Sequence, residues 1–269
     1  MWRAIGIYRR LISVQIRSQL VYRTSFLLDL VGTLLGTAGS LGTLALIFQR
    51  FDHIAGWTLG EVVFLYGLVE AAFGAMDLLF GGFDPGDFGQ EVRKGSLDLL
   101  LLRPASVTLQ VLGSKFVLRR FGRIAQGIVA LGIAFTLTDI RWTVLKIAYL
   151  PVVFVSIVAF FGGLFIVGAT ITFWTVESIE AINILTYGGA EMMSYPMHIY
   201  GRGMRRFFTY VVPAILLTYY PALYFLDKPD PLGFPSFAPY LSPVAGFGTL
   251  VAALAFWRFG LRHYESTGT

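Results

Sequence analysis

Six stretches of this chain are apolar over membrane length, and the basic residues gather on one side of them. The stretches are Ser25–Phe48, Leu59–Gly82, Phe121–Thr138, Val144–Phe173, Phe207–Leu226 and Leu241–Phe259. Each is near or above the ~20 residues that a helix needs to cross about 30 Å of hydrocarbon. An even number of crossings leaves both termini on one side. Placing that side in the cytoplasm assigns it seventeen of the 21 basic residues and leaves only Arg50, Arg141, Lys146 and Lys228 outside, as the positive-inside rule requires. The sequence therefore predicts an all-α polytopic integral membrane protein of six transmembrane helices, one domain over residues 1–269, with both termini in the cytoplasm of a bacterial inner membrane.

Composition excludes other classes. A chain 56% hydrophobic and 14% charged lies outside the range of soluble domains. The net charge of +5 follows from topology and attraction to anionic inner-leaflet lipid, so it implies no nucleic-acid partner. With no cysteine, the chain has neither a disulfide framework nor a thiolate nucleophile or metal ligand. The first apolar block follows an arginine-rich stretch and is too long for a signal-peptide core, so it stays as a membrane helix.

Residues 1–23 read as an amphipathic helix lying in the cytoplasmic interface. Arg3, Gly6, Arg10, Ser13 and Arg17 form one stripe, and Trp2, Ile5, Ile12 and Ile16 another. In the first crossing Asp29, Gly32, Gly36, Gly39 and Thr43 share a face; in the second Gly67, Glu70, Gly74, Asp77 and Gly81 do. Small residues at this spacing let helices approach closely in lipid, which predicts that both faces are packed. An acid at mid-bilayer costs at least about 2.5–3.5 kcal/mol. Glu70 therefore either hydrogen-bonds within a packed interface or lines a substrate path, whereas Asp77 and Asp29 lie nearer the cytoplasmic ends, within reach of interfacial arginines.

The cytoplasmic segment 84–106 carries a turn at Asp84-Pro85-Gly86, a candidate N-cap at Asp87 and a stop at Gly95. A short helix over Phe88–Lys94 results, containing Phe88, Glu91, Val92 and Arg93, with Phe88 as its sole aromatic residue. The run Leu97–Leu102 is too short to span and too apolar to be solvated, and reads either as an interfacial turn or as a docking element. Segment 174–206, with Glu177, Glu180 and Glu191 and the helix-breaking Pro196, reads as cytoplasmic or interfacial. The proline-rich loop 227–240 is external.

The chemistry search returns no active site. His53, His198 and His263 fall on separate loops, and no phosphate-binding G-x-x-x-x-G-K-[ST] occurs. If nucleotide drives this protein, another chain binds it.

Three patches resemble the membrane permease of an ABC type-2 exporter, of the six-crossing subfamily without a fused ATPase. They are EVRKGSLDLLLLRP from Glu91 to Pro104, SYPMHIY…VVPAILLTYYPA from Ser194 to Ala222, and WRFGLRHYESTG from Trp257 to Gly268. The resemblance implies a non-catalytic subunit that binds no cofactor itself. It implies two ABC ATPase subunits, which would bind ATP and Mg, and a second permease, identical or homologous. By the same resemblance residues 1–23 look like a connecting helix, and Phe88, Glu91, Val92 and Arg93 lie in the coupling helix that meets the ATPase. Internal acids with 13 tyrosines and 24 phenylalanines lean towards a hydrophobic or cationic small molecule as substrate. A secondary transporter or drug/proton antiporter, which would show internal repeats and broken helices, is the alternative, and a lipid-modifying enzyme would need convergent catalytic groups.

Overall fold

A computed structural model describes residues 12–19, 23–175 and 182–265. Among these residues the protein is helical, its only extended pairing an isolated bridge between Ile54 and Trp57. In chain order the helices are α1 (residues 12–19), α2 (Arg23–Arg50), α3 (Leu59–Phe80), α4 (Pro85–Arg93), α5 (Ser96–Leu101), α6 (Val107–Ser114) and α7 (Arg120–Leu137). There follow α8 (Val144–Ile171), α9 (residues 182–193), α10 (Arg202–Arg206), α11 (Ala214–Leu217), α12 (Tyr219–Phe225) and α13 (Ser242–Arg262). Five stretches are long and apolar enough to cross a membrane: Val31–Arg50 in α2, Leu59–Arg93 from α3 through α4, Arg120–Leu137 as α7, Val144–Ile171 as α8 and Ala238–Arg262 ending in α13.

Helix α3 is the buried centre. It runs antiparallel to α7 at backbone contact, because its facing residues have no side chain. A Cβ at Gly60 would sit 2.7 Å from that of Leu137, one at Gly67 2.7 Å from the Leu131 nitrogen, and one at Gly74 2.9 Å from the Ile124 nitrogen. From the other side Gly127 lies against the Ala71 backbone. The opposite face of α3 meets α8 through Phe73, whose ring lies 5.0 Å from Phe161 and 6.4 Å from Phe165. Helix α13 lies parallel to α8, with Gly246 against Ser156 and Gly260 against Thr170.

The small-residue face of α2 behaves differently. A Cβ at Gly32, Gly36 or Gly39 would meet nothing within 4 Å. Spacing alone predicts packing for both stripes, but among the described residues only the α3 stripe has a partner; Gly32, Gly36 and Gly39 of α2 are exposed.

The largest departure from the sequence reading falls between α8 and α13. Helix α8 ends beside α4, and α13 begins at the opposite, far end, so the chain between them must traverse the bundle once. Helix α9 starts that traverse: Ile182 lies against Gly168 next to Pro85 of α4. Its Ile184–Gly188 turn is π-wound and its Gly189–Met193 turn α-helical. Beyond it His198 contacts the carbonyl of Ala55 at 2.8 Å, in the turn between α2 and α3 at the far end. The segment 174–206, expected to be cytoplasmic, therefore climbs the bundle, although Glu177 and Glu180 lie outside the described residues.

The stretch expected to cross at 207–226 is instead a re-entrant hairpin. Its helical path bends by 70° at the break between Arg202–Tyr210 and Ala214–Phe225. Both outer ends stay at the far end: Arg205 and Arg206 share a small cavity with Leu232 and Phe234, and the Phe225 carbonyl accepts from the Lys146 ammonium at 2.9 Å. The bend contains Phe208, which reaches Gly189. Pro213 separates the limbs, and Pro221, which can offer no N–H to the Leu217 carbonyl, breaks the return limb at Thr218. Arg202, Arg205 and Arg206 thus change sides, while both termini of the bundle, α1 and the end of α13, remain at the α4 end.

Two predictions follow from this geometry. In a chain with no native cysteine, Gly203→Cys and His53→Cys should label from one side of the membrane with an impermeant maleimide, and Gln90→Cys from the other; co-labelling of 203 with 90 would contradict the hairpin. Gly74→Leu should abolish recovery of folded protein in mild detergent, whereas Gly36→Leu should leave the single chain's yield unchanged.

Candidate functional site: the α4 element and the α3–α7 ion pairs

Helix α4 begins at Asp84 rather than at Asp87, because Asp84 Oδ1 accepts from the backbone nitrogens of Gly86 and Asp87 at 3.1 and 3.3 Å. Pro85 follows at the first helical position, where its missing N–H costs nothing. The helix stops at Gly95, whose φ of 69° is left-handed and suited to glycine.

Pro85, Phe88, Gly89 and Val92 are buried, and Asp87, Gln90, Glu91, Arg93 and Lys94 are exposed. Phe88 was expected to anchor a partner. It points inward instead, its ring 5.5 Å from Trp257, 5.9 Å from Phe173 and 6.3 Å from Phe83. The reason is visible in the spacing, since positions 85, 88, 89 and 92 form one apolar stripe. Of the four coupling residues named from sequence, only Glu91 and Arg93 face outward.

The ring cluster fastens α4 to three spanning helices. Phe83 belongs to the 3-10 turn that ends α3, Phe173 follows α8, and Trp257 lies in α13 and donates from Nε1 to Thr108 Oγ1 of α6 at 3.0 Å. A fourth tie runs through Asp87, which pairs with Lys115 on the loop before α7. That loop is held by α1: the Gln19 amide donates to the Phe116 carbonyl and accepts from Leu118 N at 2.8 Å, while Gln15 donates to the Ser114 carbonyl at 2.9 Å. The stripes read in residues 1–11 lie outside the described residues. Between α4, α5 and α6 a cavity of ≈ 460 Å³ is lined by Phe88, Leu97 and Leu100 and rimmed by exposed Glu91 and Arg103. Beside it Leu99, Leu101 and Leu102 are exposed. Beyond α13, burial and the neighbouring Asp98 carboxylate of α5 raise the Tyr264 phenol above its ordinary pKa.

Within the bundle Glu70 is buried and is held by two bonds from Arg123 of α7, Nε to Oε2 at 2.6 Å and Nη2 to Oε1 at 2.9 Å. The guanidinium also lies 4.2 Å over the Phe73 ring. Two turns of α3 closer to α4, Asp77 pairs with Arg120 at 3.0 Å, and the same arginine donates to the Asp77 carbonyl. Gly81 leaves the space that the Arg120 guanidinium occupies. Glu70 and Asp77 share the wall of an open cleft of ≈ 590 Å³ with Leu28, Gly32 and Thr33 of α2 and Arg119, Arg120, Arg123 and Gln126. The Asp29 side chain lies outside what is described.

Two residues were missed. Arg123 was counted as a cytoplasmic charge, though Arg120 and Arg123 share one face of α7 at i, i+3, and Glu70 and Asp77 share one face of α3 at i, i+7, two basic and two acidic residues that could have suggested pairing between the helices. Glu191 was set aside with the cytoplasmic acids. It lies on the traversing α9, exposed and without a salt bridge among the described residues.

Five helical stretches long and apolar enough to cross a membrane, with a short helix clamped at one end of them, define a multi-pass membrane protein. The chain belongs to the ABC-2 family of transporter proteins, whose family model matches residues 34–268. No curated protein and no solved structure matches it.

Breaking the Glu70–Arg123 pair on one side should cost about 3–5 kcal/mol, because a carboxylate 6% exposed is left without its counter-charge. Arg123→Gln should therefore lower stability to denaturant in detergent, and adding Glu70→Gln should restore part of it. Wild-type stability of Arg123→Gln alone would show that the pair holds nothing.

Proposed function

We propose that this chain is the permease subunit of an ATP-driven exporter, acting with a second permease and two ABC ATPase subunits in a bacterial inner membrane. The α4 end is cytoplasmic, so both termini lie inside. ATP and Mg are bound by the ATPases, and this chain contributes no covalent chemistry. The observation that carries the reading is α4: nine residues with their own cap and stop, gripping α3, α8 and α13 through one face and offering Asp87, Gln90, Glu91 and Lys94 on the other. Such an element transmits an external push to several spans together, a rigid-body transition between two arrangements.

In this reading the ATPase seats against the polar face of α4 and the exposed leucines of α5. Its closure moves the ring cluster and the Asp87–Lys115 tie together, so α7 follows α3, α8 and α13. Export runs along the surface that carries Glu191 and the α2 glycine stripe, where the second permease packs. Because Arg123 neutralises Glu70, a cationic substrate would find its free carboxylate at Glu191. The hairpin over 202–225 is the one feature that favours a secondary transporter. It lies at one end of the bundle, however, and has no counterpart among the described residues in the other half of the chain, as paired repeats would require.

Glu91→Lys should leave insertion and yield unchanged, since its exposed contact with Lys94 at 3.7 Å is worth less than about 1 kcal/mol. In the assembled transporter it should uncouple ATP hydrolysis from export. Phe88→Ala should instead destabilise the permease itself by about 3–5 kcal/mol, as loss of a core ring does. Normal coupling in Glu91→Lys, together with failure of Gln90→Cys to crosslink to an ATPase, would remove α4 as the docking element.

A further inference from the structure

The cleft between α2, α3 and α7 contains more cation than its own acids can use. Three guanidinium groups, from Arg119, Arg120 and Arg123, line it against two carboxylates among the described side chains. Both carboxylates are already committed, Glu70 through both oxygens to Arg123 and Asp77 through Oδ2 to Arg120, and Asp77 Oδ1 is sealed from solvent. Arg119 is exposed and makes no ion pair among the described residues. Arg120 Nη2 and Arg123 Nη1 likewise have no hydrogen-bond partner among them. Among the described side chains, the charges that remain available are therefore positive.

The setting of the cleft points to the occupant. Its wall runs from Glu70, at the middle of α3, down to Asp77 and Arg119 at the α4 end, the end that the proposed function places at the cytoplasmic membrane surface. Above it the flanking surfaces are apolar and uncovered: Leu28, Val31 and Leu35 on α2, and Ile128 on α7, are all at least half exposed. An ion from water would need only the arginines. A molecule with an anionic head and hydrocarbon tails would satisfy both parts, and basic pockets between spans near the cytoplasmic face hold lipid headgroups in this way.

We infer that this cleft is a binding site for an anionic phospholipid, its phosphate between Arg119, Arg120 and Arg123 and its acyl chains along α2 and α7. The site rests on the α4 end lying at a membrane surface and not on the presence of an ATPase. Bound there, the lipid would fill the gap that the uncovered α2 leaves against α7, and would brace the Glu70 and Asp77 pairs behind it.

The test uses the full chain purified in a non-ionic detergent, titrated separately with dioctanoyl phosphatidylglycerol, dioctanoyl phosphatidylcholine and inorganic phosphate, with binding read by native mass spectrometry. Phosphatidylglycerol should bind at least tenfold more tightly than phosphatidylcholine, and millimolar phosphate should not displace it. Arg119→Gln should weaken phosphatidylglycerol about fivefold, the effect of one charge at the surface, with phosphatidylcholine unchanged and Arg119→Lys close to wild type. Arg119 takes no part in the ion pairs that pack α3 on α7, so this variant keeps the fold, which an unchanged elution profile would verify. Equal binding of the two lipids, displacement by phosphate alone, or full affinity in Arg119→Gln would each overturn the site. Failure of ATPase docking would leave these results untouched, so the two readings fail separately.

Discussion

Everything in this molecule is built on the absence of side chains along one line of α3. Without Cβ atoms at positions 60, 67 and 74, and with Gly127 answering from α7, the two backbones come close enough for short ionic reaches to close between them. Hydrophobicity gives helices no reason to associate in lipid, so close packing and polar contacts must do it. Here they act together. The glycines bring Arg123 within bonding distance of Glu70, and the bidentate pair then fixes the register of α7 on α3. A single slip of either helix would separate the charges in a medium that punishes unpaired ones.

That fixed pair turns the lower part of the protein into a set of levers. Helix α4 reaches α3 through covalent chain, α8 and α13 through aromatic rings, and α7 through the Asp87–Lys115 pair and the loop that α1 holds. Ring against ring contacts of this kind, at 5.0–5.9 Å for Trp257 with Phe83 and Phe88 and for Phe88 with Phe173, resist rotation as well as separation. Among the described residues, α4 is thereby joined to four spans at once. By contrast α2 is tied weakly, with its glycine face open, so it is the span freest to move relative to the rest.

The sequence was legible where one physical rule acted alone. Length and apolarity placed five spans within a few residues, because each of those segments must satisfy its backbone internally in lipid. The cap and stop of α4 were readable for the same kind of reason, although the cap falls at Asp84, three residues before the candidate. Legibility failed where two rules competed. Residues 207–226 are apolar enough to span, but Pro213 and Pro221 fold them back, and a hydropathy pattern does not register a missing N–H. The traverse at 182–193 hid behind Asn183 and Glu191, polar residues that a span surrounded by hydrocarbon alone would not carry. Arg202, Arg205 and Arg206 then followed the wrong span to the wrong side. At Phe88 composition suggested an anchor, whereas the four-position apolar stripe around it already pointed into the core.

Lys146 has a consequence for how the protein is made. Its ammonium is buried at the start of α8, yet its partners, the Phe225 carbonyl and the Asp227 carboxylate, lie 79 and 81 positions later in the chain. A ribosome adding 5–20 residues per second needs roughly 4–16 s to deliver them. During that interval α8 cannot draw its first turn inward without stranding a charge, so the nascent helix stays pinned with its lysine in the aqueous headgroup layer. Burial waits until the hairpin emerges, which makes sealing of the far end a late event in biogenesis and one that reports that the chain has been synthesised at least as far as Asp227.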